Sequence, residues 1–200
     1  MNLYEQTLPT NLLPIDGEAL YIANALPAHL LDGYTQYLLN EIPWLPDEVV
    51  IFGKRIITKR KVAWYADNGL SYSYANTTKE ALPWSTTLLS IKKIVEEYAE
   101  VKFTACLLNL YHNGNEGMGW HSDNEKELLP NGCIASLSVG ATRKFMFKHK
   151  ATKQTVSVAL QAGSLLLMKG ATQAHWLHQL AKTTKQPNPR VNLTFRIMNS

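Results

Sequence analysis

Arg190-Val191-Asn192-Leu193-Thr194-Phe195-Arg196 alternates without a break between polar and apolar side chains. Successive side chains on a strand point to opposite faces, so Arg190, Asn192, Thr194 and Arg196 share one face and Val191, Leu193 and Phe195 the other. An ordinary amphipathic strand with its polar face in water is the common meaning of such a pattern. A second run argues for something more specific: in Leu107-Leu108-Asn109-Leu110-Tyr111, Asn109 and Tyr111 also share a face. Arginine forks bind carboxylates bidentately, and a tyrosine hydroxyl and an amide can satisfy the remaining oxygens, so the two strands together can clamp a dicarboxylate.

Ten to twelve residues beyond Asn109 and Tyr111 comes His121-Ser122-Asp123. In an extended segment His121 and Asp123 project into the same space, and one more histidine would complete a set of two imidazoles and a carboxylate. That set occupies one face of a metal and leaves the opposite positions open, as in non-haem Fe(II) oxygenases. A His-x-Asp triplet by itself is more often a surface pair or a hydrogen-bonded core histidine. The later run His175-Trp176-Leu177-His178 offers two candidates for the third ligand, and spacing does not choose between them.

The 200 residues are 46% apolar, which suits one compact domain with a real core. No basic start followed by an apolar run opens the chain, and nowhere do eighteen apolar residues occur in succession, so a soluble, unsecreted protein without a membrane partner is expected. Cys106 and Cys133 lie within apolar surroundings and read as buried free thiols of a reducing cytoplasm. The absence of a glycine-rich phosphate loop and of internal repeats argues against a nucleoside triphosphatase and a solenoid. The formal net charge is +4, but residues 1–50 carry seven acidic side chains and no Lys or Arg. The other 150 residues hold all twenty basic side chains against nine acidic ones, a net +11. A basic body is compatible with a polyanionic partner.

In the acidic leader, residues 1–50, the spacing predicts a helix over Ala28–Asn40, introduced by Pro27 and closed before Pro43 and packed on the body through Leu30, Leu31, Tyr34, Tyr37, Leu38 and Leu39. A second helix is expected from about Ser85 to Tyr98, supporting the segment 51–100. From Val101 to the end, apolar runs at Phe103–Tyr111, Ile134–Val139, Lys144–Lys148, Thr155–Leu160, Ser164–Met168 and Val191–Ile197 are separated by turn residues. That is the texture of a sandwich or jelly roll, a mainly β core over 101–200.

The joint occurrence of Asn109-Leu110-Tyr111, His121-Ser122-Asp123, His175-Trp176-Leu177-His178 and Arg190 to Arg196 resembles the AlkB-type Fe(II)/2-oxoglutarate-dependent nucleic-acid dealkylases, from about Ile51 to the C-terminus. The resemblance implies a double-stranded β-helix (jelly-roll) core with two helices covering one sheet. It implies that His121, Asp123 and His178 hold Fe(II), and that Asn109, Tyr111, Arg190, Asn192 and Arg196 hold 2-oxoglutarate, leaving His175 to pack or to support the ligands. It also implies the reaction: with O2, 2-oxoglutarate becomes succinate and carbon dioxide, and an alkyl group on a damaged base nitrogen is hydroxylated and lost as formaldehyde. Bases of the 1-methyladenine and 3-methylcytosine type in DNA are the expected substrates, RNA being left open, with a monomer working in the cytoplasm, or in the nucleus of a eukaryote.

The same resemblance assigns residues 51–100 to a nucleotide-recognition lid over a base taken out of the stack. Tyr72 and Tyr74, two apart in Ser71-Tyr72-Ser73-Tyr74, would face the base opposite His121, and Phe52 of Ile51-Phe52-Gly53 would be the wedge that enters where the base has left. Asn124 and Glu125 would sit at the pocket rim. Basic and aromatic residues from Lys54 to Tyr65, including Arg60 and Trp64, can hold phosphates and stack bases; taken alone the stretch reads better as a solvated hairpin with core aromatics, and the resemblance reverses that preference. Arg143, Lys148, Lys182 and Lys185 are further basic candidates, with surface solvation as the competing reading. Two other functions use the same residues: an oxygenase acting on a protein or small molecule, and a nucleic-acid-binding module without catalysis. Tyr72, Tyr74 and the basic stretch oppose the first, and the complete ligand sets oppose the second.

Overall fold

The computed structural model describes residues 9–51, 54–67, 71–74 and 77–199. The first half of the chain runs β1 (Glu18–Ile22), α1 (Ala28–Asn40), β2 (Leu45–Ile51), β3 (Lys54–Ala66), β4 (Ser71–Tyr74), β5 (Thr77–Glu80) and α2 (Thr86–Ala99). The second half runs β6 (Ala105–Tyr111), β7 (Met118–His121), β8 (Ile134–Gly140), β9 (Arg143–His149), β10 (Thr155–Leu160), β11 (Leu165–Lys169), α3 (Thr172–His175), β12 (Trp176–Leu180) and β13 (Arg190–Arg196). A seven-stranded sheet in the order β1, β11, β8, β13, β6, β3, β2 packs against a four-stranded sheet in the order β10, β9, β12, β7. This is the expected jelly roll, mainly β with flanking helices.

β13 is in the middle of the large sheet, antiparallel to β6 on one side and β8 on the other. Its apolar face, Val191, Leu193 and Phe195, joins Leu108 and Leu110 of β6 beneath Leu38 of α1 and Leu88, Ile91 and Val95 of α2. The two helices therefore cover the outside of one sheet, as the apolar spacing in each required. The polar face of β13 does not meet water: all seven residues of the strand are buried, and Arg190, Asn192, Thr194 and Arg196 point between the sheets. Polar side chains there need partners, and the register supplies them, with Asn192 opposite both Asn109 and Ser138.

Helix α1 has the predicted bounds. Helix α2 begins one residue after Ser85, whose Oγ caps it by accepting from the Leu88 amide at 3.2 Å. The leader does more than pack, because β1 and β2 form the two edges of the large sheet. β4 coincides with the strand-like run Ser71–Tyr74, whereas β1, β2, β3 and β5 were not legible because they lack clean alternation. β3 carries a basic run and an Ile57 that is 66% exposed, and β2 tolerates Pro46 because an edge strand can forgo a ladder bond. Cys106 and Cys133 are free and buried, as expected.

Phe195 is fully buried under the helices, 5.8 Å from Phe103 and 6.4 Å from Trp84 between ring centres. Phe195→Ala is expected to lower the unfolding free energy by about 3–5 kcal/mol in urea titrations; a loss near zero would mean that this face is not the main core.

Candidate active site

His121 closes β7 and His178 sits in β12, directly opposite in the ladder, with ring centres 4.2 Å apart. Between Met118 and His121 the ladder advances three residues while β12 advances two, from Leu180 to His178. That bulge turns both Met118 and His121 into the space between the sheets, where strict alternation would have sent one of them outward. Asp123 lies two residues past the end of β7 and is buried. Its Oδ1 stands 3.7 Å from His121 Nε2 and 3.8 Å from His178 Nε2. These separations are too long for hydrogen bonds, yet the three donor atoms converge within 4.8 Å, as ligands of one ion would. The other carboxylate oxygen accepts from Arg196 Nη2 at 2.8 Å, and the Asp123 amide donates to Gln173 Oε1 at 2.9 Å.

Electrostatics keep this set in its ligating form. Burial would raise the Asp123 pKa, but Arg196, His178 and His121 outweigh it and hold the carboxyl down at about 2. Burial depresses His178 to about 4 in spite of the nearby Asp123 charge. At neutral pH the site therefore presents a carboxylate and an unprotonated imidazole, the states a cation requires.

A second convergent trio, Asp16, His149 and His175, tests the same logic. His121 Nδ1 lies 2.8 Å from the Gly119 carbonyl oxygen, which only accepts, so Nδ1 carries the hydrogen and the Nε2 lone pair faces Asp123. In the other trio the Thr152 amide donates to His149 Nδ1 at 3.0 Å. The neutral ring then carries its hydrogen on Nε2, 3.2 Å from Asp16 Oδ2, where a metal would need a lone pair. Geometry suits the first trio for a metal and the second for hydrogen-bonded packing, with His175 lying parallel to His149 at 6.2 Å.

A cavity of about 400 Å³ joins the trio to Asn109, Tyr111, Arg190, Asn192 and Arg196. Arg190 is buried at its base; Nη2 donates to Ser138 Oγ and Asn192 Oδ1, each at 2.9 Å, while Nε has no partner among the described residues. Burial lowers its pKa to about 10, against the pull of Tyr111, so it remains a cation at neutral pH. No carboxylate among the described residues pairs with it. A buried guanidinium that lacks a counter-charge is costly, and a ligand carboxylate would neutralise it, so these residues fit a dicarboxylate cosubstrate. Asn109 Oδ1 is likewise buried without a partner among the described residues. Arg196 lines the same cavity, and its Nη2 donates to Asp123.

Glu125 lines the same cavity and Asn124 is exposed beside it. Tyr72 and Tyr74 fall on β4, paired with β5 in a separate hairpin, and Phe52 lies outside the described residues. Of the basic and aromatic candidates, Arg60, Tyr65 and Arg143 are placed otherwise than for phosphate or base contact, and Trp64 faces the cavity. Arg60 is buried in an ion pair with Asp47, Tyr65 packs in the helix-facing core, and Trp64 lines the cavity wall. Arg143 is neither solvated nor free for phosphate: its guanidinium donates to the carbonyls of Asn113, Gly114, Glu116 and Ala181 at 2.7–3.2 Å. Lys148 covers the Trp120 ring at 4.6 Å, and Lys182 and Lys185 are exposed. Sequence reasoning passed over Asp47, Ser138 and Gln173, whose roles arise only from the bulge, the register and a one-turn helix.

The sequence model of the 2OG-Fe(II) oxygenase superfamily matches residues 18–196. Over 157 residues the chain is 40% identical to the DNA oxidative demethylase ALKBH2 of Mus musculus, covering 74% of this chain and 66% of that protein. It is also 40% identical over 156 residues to ALKBH2 of Homo sapiens, covering 74% and 60%. The alpha-ketoglutarate-dependent dioxygenase alkB homolog 3 of Bos taurus is 37% identical over 175 residues, covering 82% and 60%. The aligned region thus spans 60–66% of the length of these curated relatives. The solved structure of OsALKBH1 superposes with a TM-score of 0.63 at 15% identity over 89% of this chain and 97% of that one, a likeness of fold.

Because the folded pKa of His178 is depressed from 6.5 to about 4, its neutral form is favoured by folding and stability falls as pH drops through that window; Asp123, depressed from 3.8 to about 2, adds a further loss below it. The metal-free protein should lose on the order of 3 kcal/mol through His178 between pH 7 and pH 4. Denaturant titrations of the protein and of His178→Gln should show a smaller acid loss in the variant; equal losses would place the proton elsewhere.

Proposed function

The chain belongs to the 2OG-Fe(II) oxygenase superfamily, and from that premise we infer that it is an AlkB-type oxidative demethylase of N-alkylated bases in DNA. The observation that carries this reading is one cavity bounded by two chemistries: a trio of metal-binding type, His121, Asp123 and His178, and a buried cation, Arg190, with no carboxylate partner among the described residues. In this reading His121, Asp123 and His178 hold Fe(II), and Asn109, Tyr111, Arg190 and Asn192 hold 2-oxoglutarate. Arg196 braces Asp123 and borders the cosubstrate. When bound, iron and 2-oxoglutarate supply with O2 the oxidising power that hydroxylates a carbon on a base nitrogen, leaving succinate, carbon dioxide and formaldehyde.

The chain's own residues do the rest. Trp64, Leu82 and Leu107 line the cavity with apolar surface that keeps bulk water from the reacting carbon. An alkylated ring nitrogen makes a base cationic and weakens its pairing, so the base leaves the stack cheaply and aromatic faces such as those of Tyr72 and Tyr74 attract it. Glu125 and Asn124 meet its polar edge, and Phe52 fills the space left in a duplex. The basic body outside the leader supplies sequence-independent affinity for phosphates. The ALKBH2 proteins of Mus musculus and Homo sapiens carry DNA oxidative demethylase in their names, which supports DNA as the partner. We assign the enzyme to the cytoplasm, or to the nucleus in a eukaryote, as a monomer; among the described residues no helix is long and apolar enough to cross a membrane.

Protein loaded with Fe(II) and 2-oxoglutarate without oxygen, then aerated with an oligonucleotide carrying 1-methyladenine, should release one succinate for each methyl mass lost. His121→Ala or Asp123→Ala should abolish turnover while oligonucleotide affinity stays within about threefold, since sequence-independent binding comes from phosphate contacts. Succinate without demethylation would move the substrate to a protein or small molecule; unchanged turnover in the variants would sink the ligand assignment.

A further inference from the structure

A buried ion pair stands on the cavity wall outside the metal and cosubstrate sets. Asp47 and Arg60 are each almost wholly buried and joined carboxylate to guanidinium, and both border the space that holds the trio. The backbone brings them there deliberately. Between Pro46 and Glu48 the β2 strand advances two residues while β3 moves from Lys61 to Ile57, so Asp47 sits in a distortion of the ladder that aims its side chain at Arg60. Burying two charges gains little over a well-packed apolar pair, so stability alone is a weak reason for their presence.

What Arg60 touches supplies a stronger reason. Its guanidinium donates to Met118 Sδ at 3.0 Å and lies 6.0 Å from the centre of the Tyr111 ring. Arg143 and Arg190 approach the same ring at 6.0 and 5.6 Å. Three guanidinium groups thus surround one tyrosine, and each has an anchor of its own: backbone carbonyls for Arg143, Ser138 and Asn192 for Arg190, Asp47 for Arg60. Burial acts to discharge Arg60, but Tyr111 and Asp47 outweigh it and hold the cation more firmly than usual.

We propose that Asp47 and Arg60 form a positioning pair for the cosubstrate: Asp47 fixes Arg60, Arg60 fixes the Tyr111 ring, and Tyr111 thereby presents its hydroxyl to a 2-oxoglutarate carboxylate. The inference rests on the cosubstrate site described above. It makes Arg60 an internal element rather than a phosphate contact, despite its place in the basic run of β3. It also links the root of the β2–β3 hairpin to the cosubstrate end of the cavity through a single side chain.

The test is anaerobic equilibrium dialysis of 2-oxoglutarate against protein loaded with Mn(II), comparing the unaltered chain with Asp47→Asn/Arg60→Gln, which removes both charges and leaves none unpaired. The double variant should bind Mn(II) and a single-stranded oligonucleotide normally while 2-oxoglutarate affinity falls about tenfold. In aerobic assays KM for 2-oxoglutarate should rise while KM for the oligonucleotide holds. Should the double variant fail to fold, Arg60→Lys carries the same expectation, because it keeps the charge opposite Asp47 but loses the planar fork beside Tyr111. Unchanged 2-oxoglutarate affinity in a folded variant would overturn the pair's role and leave the demethylase reading intact. If the unaltered protein bound no 2-oxoglutarate, both would fall together.

Discussion

A strand buried on both faces can carry polar side chains only if each finds a partner, and β13 carries four. That constraint organises the rest of the molecule. The apolar face demands cover, which α1 and α2 provide, while the polar face demands acceptors and counter-charges, which β6, β8 and Asp123 provide in part. What they leave unmet at Arg190 defines the chemistry of the ligand. The site is in this sense the unfinished remainder of the core: a cation with hydrogen bonds to Ser138 and Asn192 but no carboxylate partner among the described residues.

Hydrogen bonds to the far nitrogen of a histidine decide what its near nitrogen can do. A carbonyl behind His121 and an amide behind His149 give two trios of the same composition opposite character, although their donor atoms are gathered within the same span. Side-chain identity and distance do not separate them; the polarity of one backbone group does.

Much of this was legible in the sequence because it follows from short-range periodicity. The alternation in Arg190 to Arg196 and in Leu107 to Tyr111 gave the central strands and their inward residues, and the apolar spacing around Leu38 and Leu88 gave both helices. The family likeness named His178 rather than His175, a choice spacing could not make. What escaped depends on irregularity. His121 faces inward because β7 bulges, Asp47 because the β2–β3 ladder slips, and Gln173 because a single helical turn separates β11 from β12. Arg60 and Arg143 looked like surface cations because composition does not report which charges are paired inside: Asp47 meets Arg60 from the adjoining edge strand, and carbonyls as distant in sequence as that of Ala181 receive Arg143.

The placement of β13 bears on how the protein comes into being. The last of the described strands to be synthesised occupies the middle of the large sheet, so β8 and β6 have no ladder partner between them until residue 196 is available. Long-range pairing of this kind is slow and must await the synthesis of residues 190–196. Asp123 obtains its Arg196 contact, and the cavity its Arg190 floor, in that same closing step. The brace on Asp123 and the buried cation of the cavity are therefore acquired together with the middle strand of the large sheet, after all three members of the trio have been made.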